Sequence, residues 1–215
     1  MLNIEKWMKE VAPFYREPGK VNSKNTALLI IDMENYFVSP SGQSFLPDTK
    51  YIVPNIKKLL CYFRENKLPV IYTAHQHLDP SVDGGMLSEW WGSSIMEDTP
   101  QADICEQLKP AGERVIKKRR YSAFYQTDLE LLLSGMNIEN LIITGVMTNL
   151  CCETTARDAF MRDFRVFFIA DGNCSATEEM HLASLKNLAF GFAHVVTAED
   201  MIGFLVGKIL KNEKN

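Results

Sequence analysis

No stretch of this 215-residue chain strings together the roughly 20 apolar residues that a helix needs to cross a bilayer, so no membrane span is expected. The first ten residues lack the apolar centre of a secretory leader, since Glu5, Lys6, Lys9 and Glu10 interrupt them. Charge of one sign is scarce as well. The formal net charge is only −4, and the single basic cluster, Lys117-Lys118-Arg119-Arg120, is too short for the stripe that nucleic acid requires. Neither a membrane nor a nucleic acid is therefore expected as a partner. The five cysteines (Cys61, Cys105, Cys151, Cys152 and Cys174) make no CxxC pair and no zinc-ligand spacing. An odd, scattered set of this kind argues against a disulfide framework and for free thiols in a reducing, cytoplasmic setting. Internal repeats, low-complexity tracts and Gly/Ser-rich linkers are missing too, and residues 1–215 read as one domain.

What is present is a soluble globular composition, 46% apolar and 23% charged, arranged as short β-branched runs between longer helical patterns. Residues 27–31 are continuously apolar, as in a strand covered on both faces. A helical period follows over 53–65, then a strand over 69–73. The segment from His75 to Pro110 shows no clear period, which marks a functional insertion. Beyond it the pattern predicts strands at 114–117, 140–144, 166–170 and 193–197. Helices are predicted at 127–133, 150–162 and 178–189, with a closing one from 199 towards 209. Alternation of this kind predicts an α/β fold with a mainly parallel sheet and helices on both faces. No GxGxxG follows the first strand, which removes the main signature of a dinucleotide-binding protein.

In open parallel sheets ligands bind at the carboxyl ends of the strands. Three chemically competent residues fall there. Asp32 follows the first strand, Lys118 follows the strand at 114–117, and Cys151 lies where the 140–144 strand turns into a helix. Each has a bland alternative: a turn residue, a solvated cation, a small buried hydrophobe. Together they supply a carboxylate, an ammonium and a thiol, enough for covalent hydrolysis. A thiol in the first turn of a helix feels the positive end of the dipole and unpaired N–H groups, both of which favour thiolate. Thr148 and Asn149 are candidate caps for that helix. Cys152, about 100° further round, cannot share the pocket with Cys151.

The run Gly145-Val146-Met147-Thr148-Asn149-Leu150-Cys151-Cys152-Glu153-Thr154-Thr155-Ala156-Arg157-Asp158-Ala159 resembles the nucleophile signature of the isochorismatase-like (cysteine hydrolase) family. That signature places its cysteine after Gly-Val-x-Thr-Asn-x, at Cys151. LLIIDMENYF, with Asp32, resembles the family's opening motif, and Lys118-Arg119-Arg120-Tyr121-Ser122-Ala123-Phe124 its lysine motif. The likeness runs from about residue 27 to 202. It implies a doubly wound, Rossmann-like three-layer sandwich, a triad of Asp32, Lys118 and Cys151, and a non-proline cis peptide at Val146–Met147. That peptide's implied purpose is to aim the Met147 N–H, with that of Cys151, at an oxyanion. A homo-oligomer is implied as well, and the aromatic segment around Trp90 suits an interface.

The family holds amidases and ureidases as well as true isochorismatases, which cleave a vinyl ether without a thiol. Trp91-Gly92, Tyr121 to Phe124 and Asp158 to Asp163 resemble the isochorismatase branch. Three departures oppose that activity: Cys151 stands where that branch usually has Gly, His75 replaces a pocket Gln, and Gly84 replaces an Arg that would grip a substrate carboxylate. The expected activity is therefore hydrolysis of a C–N bond in a small amide or ureido compound. Vinyl ether cleavage and a non-catalytic binding module are the alternatives. No cofactor is expected, nor an appended carrier-protein domain. His75 and His77 alone are too few ligands for a metal. His75 is expected to line the substrate pocket with Phe37, Trp91, Tyr121 and Phe124, and His77 to be an ordinary loop residue.

Overall fold

The apolar run near the start of the pattern becomes the middle of the sheet. A computed structural model describes residues 3–207, and its elements in chain order are α1 (Ile4–Val11), β1 (Thr26–Ile31), α2 (Asn35–Val38), α3 (Thr49–Glu65), β2 (Val70–His75), α4 (Pro80–Asp83), α5 (Gly85–Trp91), β3 (Arg114–Lys118), α6 (Leu129–Gly135), β4 (Asn140–Val146), α7 (Glu153–Phe160), β5 (Arg165–Cys174), α8 (Glu178–Gly191), β6 (His194–Val196) and α9 (Ala198–Leu205). A single π-helical turn, Thr148–Cys152, joins β4 to α7. The six strands form one sheet in the order β3-β2-β1-β4-β5-β6, parallel throughout. The expected α/β sandwich is the observed one.

Alternating side chains of β1 divide the core in two. Leu29 and Ile31 face a layer containing Trp7, Leu133, Ala156 and Leu185, so α1, α6, α7 and α8 cover that side. Leu28 and Ile30 face Ile56, Leu60, Phe63 and Met201, so α3 and α9 cover the other. Every residue of β1, β2 and β4 is buried, which is why these strands lack a polar alternation. Edge strand β3 keeps three of its five residues in contact with solvent.

Several boundaries differ from the periodic expectation, each for a physical reason. Helix α3 begins at Thr49, upstream of Pro54; burial of Thr49 and Ile52 holds its first turn on the sheet although proline forfeits one N–H bond there. Strand β5 runs on past Asp171-Gly172 to Cys174 across a bulge. There the Asn173 amide donates to the carbonyls of Ile143 (3.0 Å) and Ile169 (2.7 Å), replacing lost ladder bonds. The irregular stretch after His75 contains α4 and α5, too short for a 3.6-residue period to be visible. Helix α9 ends at Leu205, and the expected continuation towards 209 lies outside the described residues.

The chain winds outward from β1 in one direction as far as β3, then restarts at β4 on the other side of β1. The crevice between the carboxyl ends of β1 and β4 is thus the topological switch point, where a sheet of this order binds its ligand.

Candidate active site

Asp32 sits one residue beyond β1 with φ +51°, a left-handed conformation that aspartate tolerates better than most residues. Its N–H still donates to the Thr73 carbonyl of β2 (3.2 Å), so the carboxylate is anchored at the crevice. Lys118 is the last residue of β3, in register with His75 of β2. From there its long side chain crosses the end of β2 towards Asp32. Cys151 projects from the π-helical turn after β4. All three residues are buried.

The sheet brings their functional atoms together. Lys118 Nζ is 2.7 Å from Asp32 Oδ2 and 3.2 Å from Cys151 Sγ, and it also donates to the Arg120 carbonyl at 3.0 Å. Asp32 Oδ1 accepts a 2.7 Å bond from the Thr73 hydroxyl. Burial works against the Lys118 charge, but Asp32 and Cys151 outweigh it and hold the amine above the ordinary lysine range. Burial also pushes the Cys151 thiol well above its usual range; Lys118 opposes this, while Asp32 adds to it. Desolvation of the sulfur thus works against the thiolate that the helix start and Lys118 favour. Neither expected cap is made. The Thr148 hydroxyl pairs with His181 Nδ1 (2.7 Å), and Asn149 Oδ1 accepts from Ser175. Cys152 is buried in the core, and the Val146–Met147 peptide is cis.

Asp32, His75 and Cys151 offer three metal-ligating atoms within 4.8 Å of one another. Lys118 Nζ contacts all three, with His75 Nδ1 at 3.4 Å. The ammonium therefore stands where a metal ion would have to sit, and this donor set does not suit one.

Cys151 opens onto a cavity of about 310 Å³ whose lining includes Phe37, His75, Trp91, Tyr121 and Met147. Among the described residues lining it there is no Arg, Lys, Asp or Glu. Trp91 Nε1 donates to the Tyr121 hydroxyl at 2.8 Å, fixing two of the aromatic walls. Phe124, expected in this wall, belongs to the core instead: its ring stacks on Phe164 and lies under the Arg162 guanidinium. Residues at 121 and 124 follow one another through a tight bend, so adjacency in the motif does not carry Phe124 to the same face. His77 is not an ordinary loop residue either. It is fully buried, with Nδ1 on Asp83 (2.9 Å) and Nε2 on His75 Nε2 (3.2 Å). An HxH pair in an aperiodic segment gives no hint of that partner six residues on.

Glu34 was missed altogether. It is buried, its Oε1 accepts the His75 N–H at 2.5 Å, and burial followed by the nearby Asp32 charge raises its carboxyl well above the usual range, against Lys118. The available signal was its position, two residues after Asp32 in the same motif.

The family model described as Isochorismatase domain matches residues 26–200. Nicotinamidase 3 of Arabidopsis thaliana is 40% identical over 190 residues, covering 86% of this chain and 91% of the relative. Enterobactin synthase component B of Escherichia coli (strain K12) is 37% identical over 180 residues, covering 83% of this chain but 63% of that protein, less than two thirds of its length. Among solved structures, a cysteine hydrolase from Pseudomonas syringae pv. phaseolicola 1448A superposes with a TM-score of 0.85 at 27% identity, over 88% of this chain and 96% of that one.

Proposed function

Since the chain belongs to the isochorismatase family and is a cysteine hydrolase of that family, we propose that it hydrolyses the C–N bond of a small, uncharged amide or ureido compound through a thioester on Cys151. The observation that carries this reading is the Cys151 sulfur, 3.2 Å from the Lys118 ammonium and beside Asp32, at the floor of a cavity with no ionised lining. A substrate bearing carboxylates would meet no cation there among the described residues. The Arg120 guanidinium is nearby but turned away, donating to the Asp83 and Arg119 carbonyls. The relative named nicotinamidase supports a carboxamide within this class.

The chemistry follows from the charges. Asp32 takes the thiol proton as the sulfur attacks the carbonyl carbon. Backbone N–H groups of Met147 and Cys151 receive the oxyanion. Protonated Asp32 passes its proton to the departing nitrogen, the C–N bond breaks, and the thioester remains. Asp32, ionised again, removes a proton from water, which attacks the thioester; collapse returns the proton to Cys151 and frees the acid. Lys118 stays a cation throughout and stabilises both the Asp32 carboxylate and the developing thiolate. A homo-oligomer in a reducing compartment belongs to the same reading, supported by Trp90, which is 77% exposed on α5, and by the free cysteines.

An ammonia-release screen over neutral carboxamides and ureides, run beside isochorismate, tests the proposal. Turnover is expected on the neutral nitrogen compounds and is expected to fall by at least about 10³-fold in Cys151→Ala. Turnover of isochorismate alone, or full activity without the thiol, would defeat it.

A further inference from the structure

Beside the nucleophile runs a chain of contacts that the reaction itself leaves unused. Lys118 Nζ lies 3.4 Å from His75 Nδ1, His75 Nε2 lies 3.2 Å from His77 Nε2, and His77 Nδ1 lies 2.9 Å from Asp83 Oδ1. Both rings are buried. The far end is fixed, because Asp83 Oδ2 accepts from the Leu78 N–H (2.9 Å) and from Arg119 Nε (2.8 Å).

The two ends leave this chain one direction. An ammonium carries no lone pair, so the His75 Nδ1 that faces it at 3.4 Å presents its lone pair rather than an N–H. Burial first, then the Lys118 charge, hold His75 well below the usual histidine range, so its ring is neutral. Its single ring proton therefore sits on Nε2 and points at His77 Nε2. That nitrogen accepts, which puts the His77 proton on Nδ1, facing Asp83. Burial notwithstanding, bonds from Arg119, Leu78 and His77 hold Asp83 down to about 2, so it is a carboxylate and accepts. The His75–His77 and His77–Asp83 links each pair a donor with an acceptor, and reversing the chain would set an N–H of His75 against the ammonium.

We propose that Asp83 and His77 are positioning residues that lock the His75 tautomer, so that its Nδ1 lone pair faces Lys118 and keeps that ammonium in place between Asp32 and Cys151. The proposal deepens the hydrolase reading and rests on it for the role of Lys118; the tautomer pattern itself does not depend on the substrate.

Asp83→Asn reverses the chain. The Leu78 and Arg119 donors still need an acceptor, so the new amide turns its oxygen to them and its NH₂ to His77 Nδ1. That nitrogen must then accept, the His77 proton moves to Nε2, and the His75 proton is forced onto Nδ1 against Lys118. Nitrogen-15 NMR of the ring nitrogens in the full chain reads this directly, and the rate of Cys151 alkylation by iodoacetamide near neutral pH reads its effect on the thiol. The unaltered protein is expected to carry its protons on His75 Nε2 and His77 Nδ1. Asp83→Asn is expected to reverse both and to slow alkylation and kcat by about 10-fold or more, with KM little changed. Arg119→Gln breaks the same ion pair but leaves the carboxylate facing His77, so both tautomers and the alkylation rate are expected to persist. A proton on His75 Nδ1 in the unaltered protein, unmoved tautomers in Asp83→Asn, or an equal slowing by Arg119→Gln overturns the lock. No substrate enters the tautomer or alkylation measurements, so a failed carboxamide screen refutes the proposed reaction while these readings still decide the lock.

Discussion

At Glu34, Oε1 is committed to the His75 N–H, while Oε2 is buried without a hydrogen-bond partner among the described residues. Burial and the facing Asp32 charge raise the Glu34 carboxyl and so favour the protonated form, which resembles a glutamine. Its folded value is raised, so it costs no stability below the ordinary glutamate range and an increasing amount as pH rises above it. Glu34→Gln keeps the bond to His75 and removes that cost. The variant is expected to keep turnover within about threefold and to unfold at higher temperature than the parent, with a gain that grows as pH rises above the ordinary glutamate range. Glu34→Ala, which frees the His75 N–H, is expected to lose about 1–3 kcal/mol in urea unfolding. Sequence spacing makes Asp32, Lys118 and Cys151 legible because each follows a predicted strand. It does not reveal Glu34, because nothing in a D-x-E spacing tells which carboxyl keeps its charge.

The carboxyl end of β4 makes the same point for an element. Gly145 pairs with Ile31 in the β1–β4 ladder and has φ +121°. A β-carbon there would drive into the Ile31 carbonyl oxygen, in a conformation that side chains avoid in any case. The close approach of β4 to β1 sets Asp32 and Cys151 across one crevice. Gly145→Ala is expected to cost several kcal/mol, seen as lost soluble yield or a thermal midpoint lowered by about 10 °C or more. The element types were readable from β-branched runs and helical period. Their ends were not, since Pro54, the β5 bulge and the π-helical turn are decided by contacts far along the chain. Phe124 illustrates the loss: the motif puts it beside Tyr121, and packing against Phe164 takes it to the core.

For the molecule as a whole, burial of neutral histidines sets the acid limit. His75, His181 and His194 are all pushed below the usual histidine range, burial being the first cause in each. His181, packed against Trp7 and hydrogen-bonded to Thr148, is held at about 4, although the Ala170 carbonyl and Glu178 pull the other way. The unfolded chain binds these protons first, so the histidine contribution is complete above about pH 6.5 and is lost as pH drops towards 4, opposite in sign to the Glu34 contribution. His181 alone accounts for a loss on the order of 3 kcal/mol at roughly 1.4 kcal/mol per pH unit. Between pH 7 and pH 4 the unfolding free energy from urea melts should fall further in the parent than in His181→Gln, by about that amount. Local order along the chain was enough to establish a layered parallel sandwich and the three reactive groups at its rim, because strand periodicity and strand ends are properties of neighbouring residues. Only the folded molecule decided that burial pushes the thiol up, that the Lys118 ammonium lies among Asp32, His75 and Cys151, and that His77 and Glu34 stand behind His75. Each of those depends on burial and on partners brought together by the sheet, and desolvation has no signature in a string of letters.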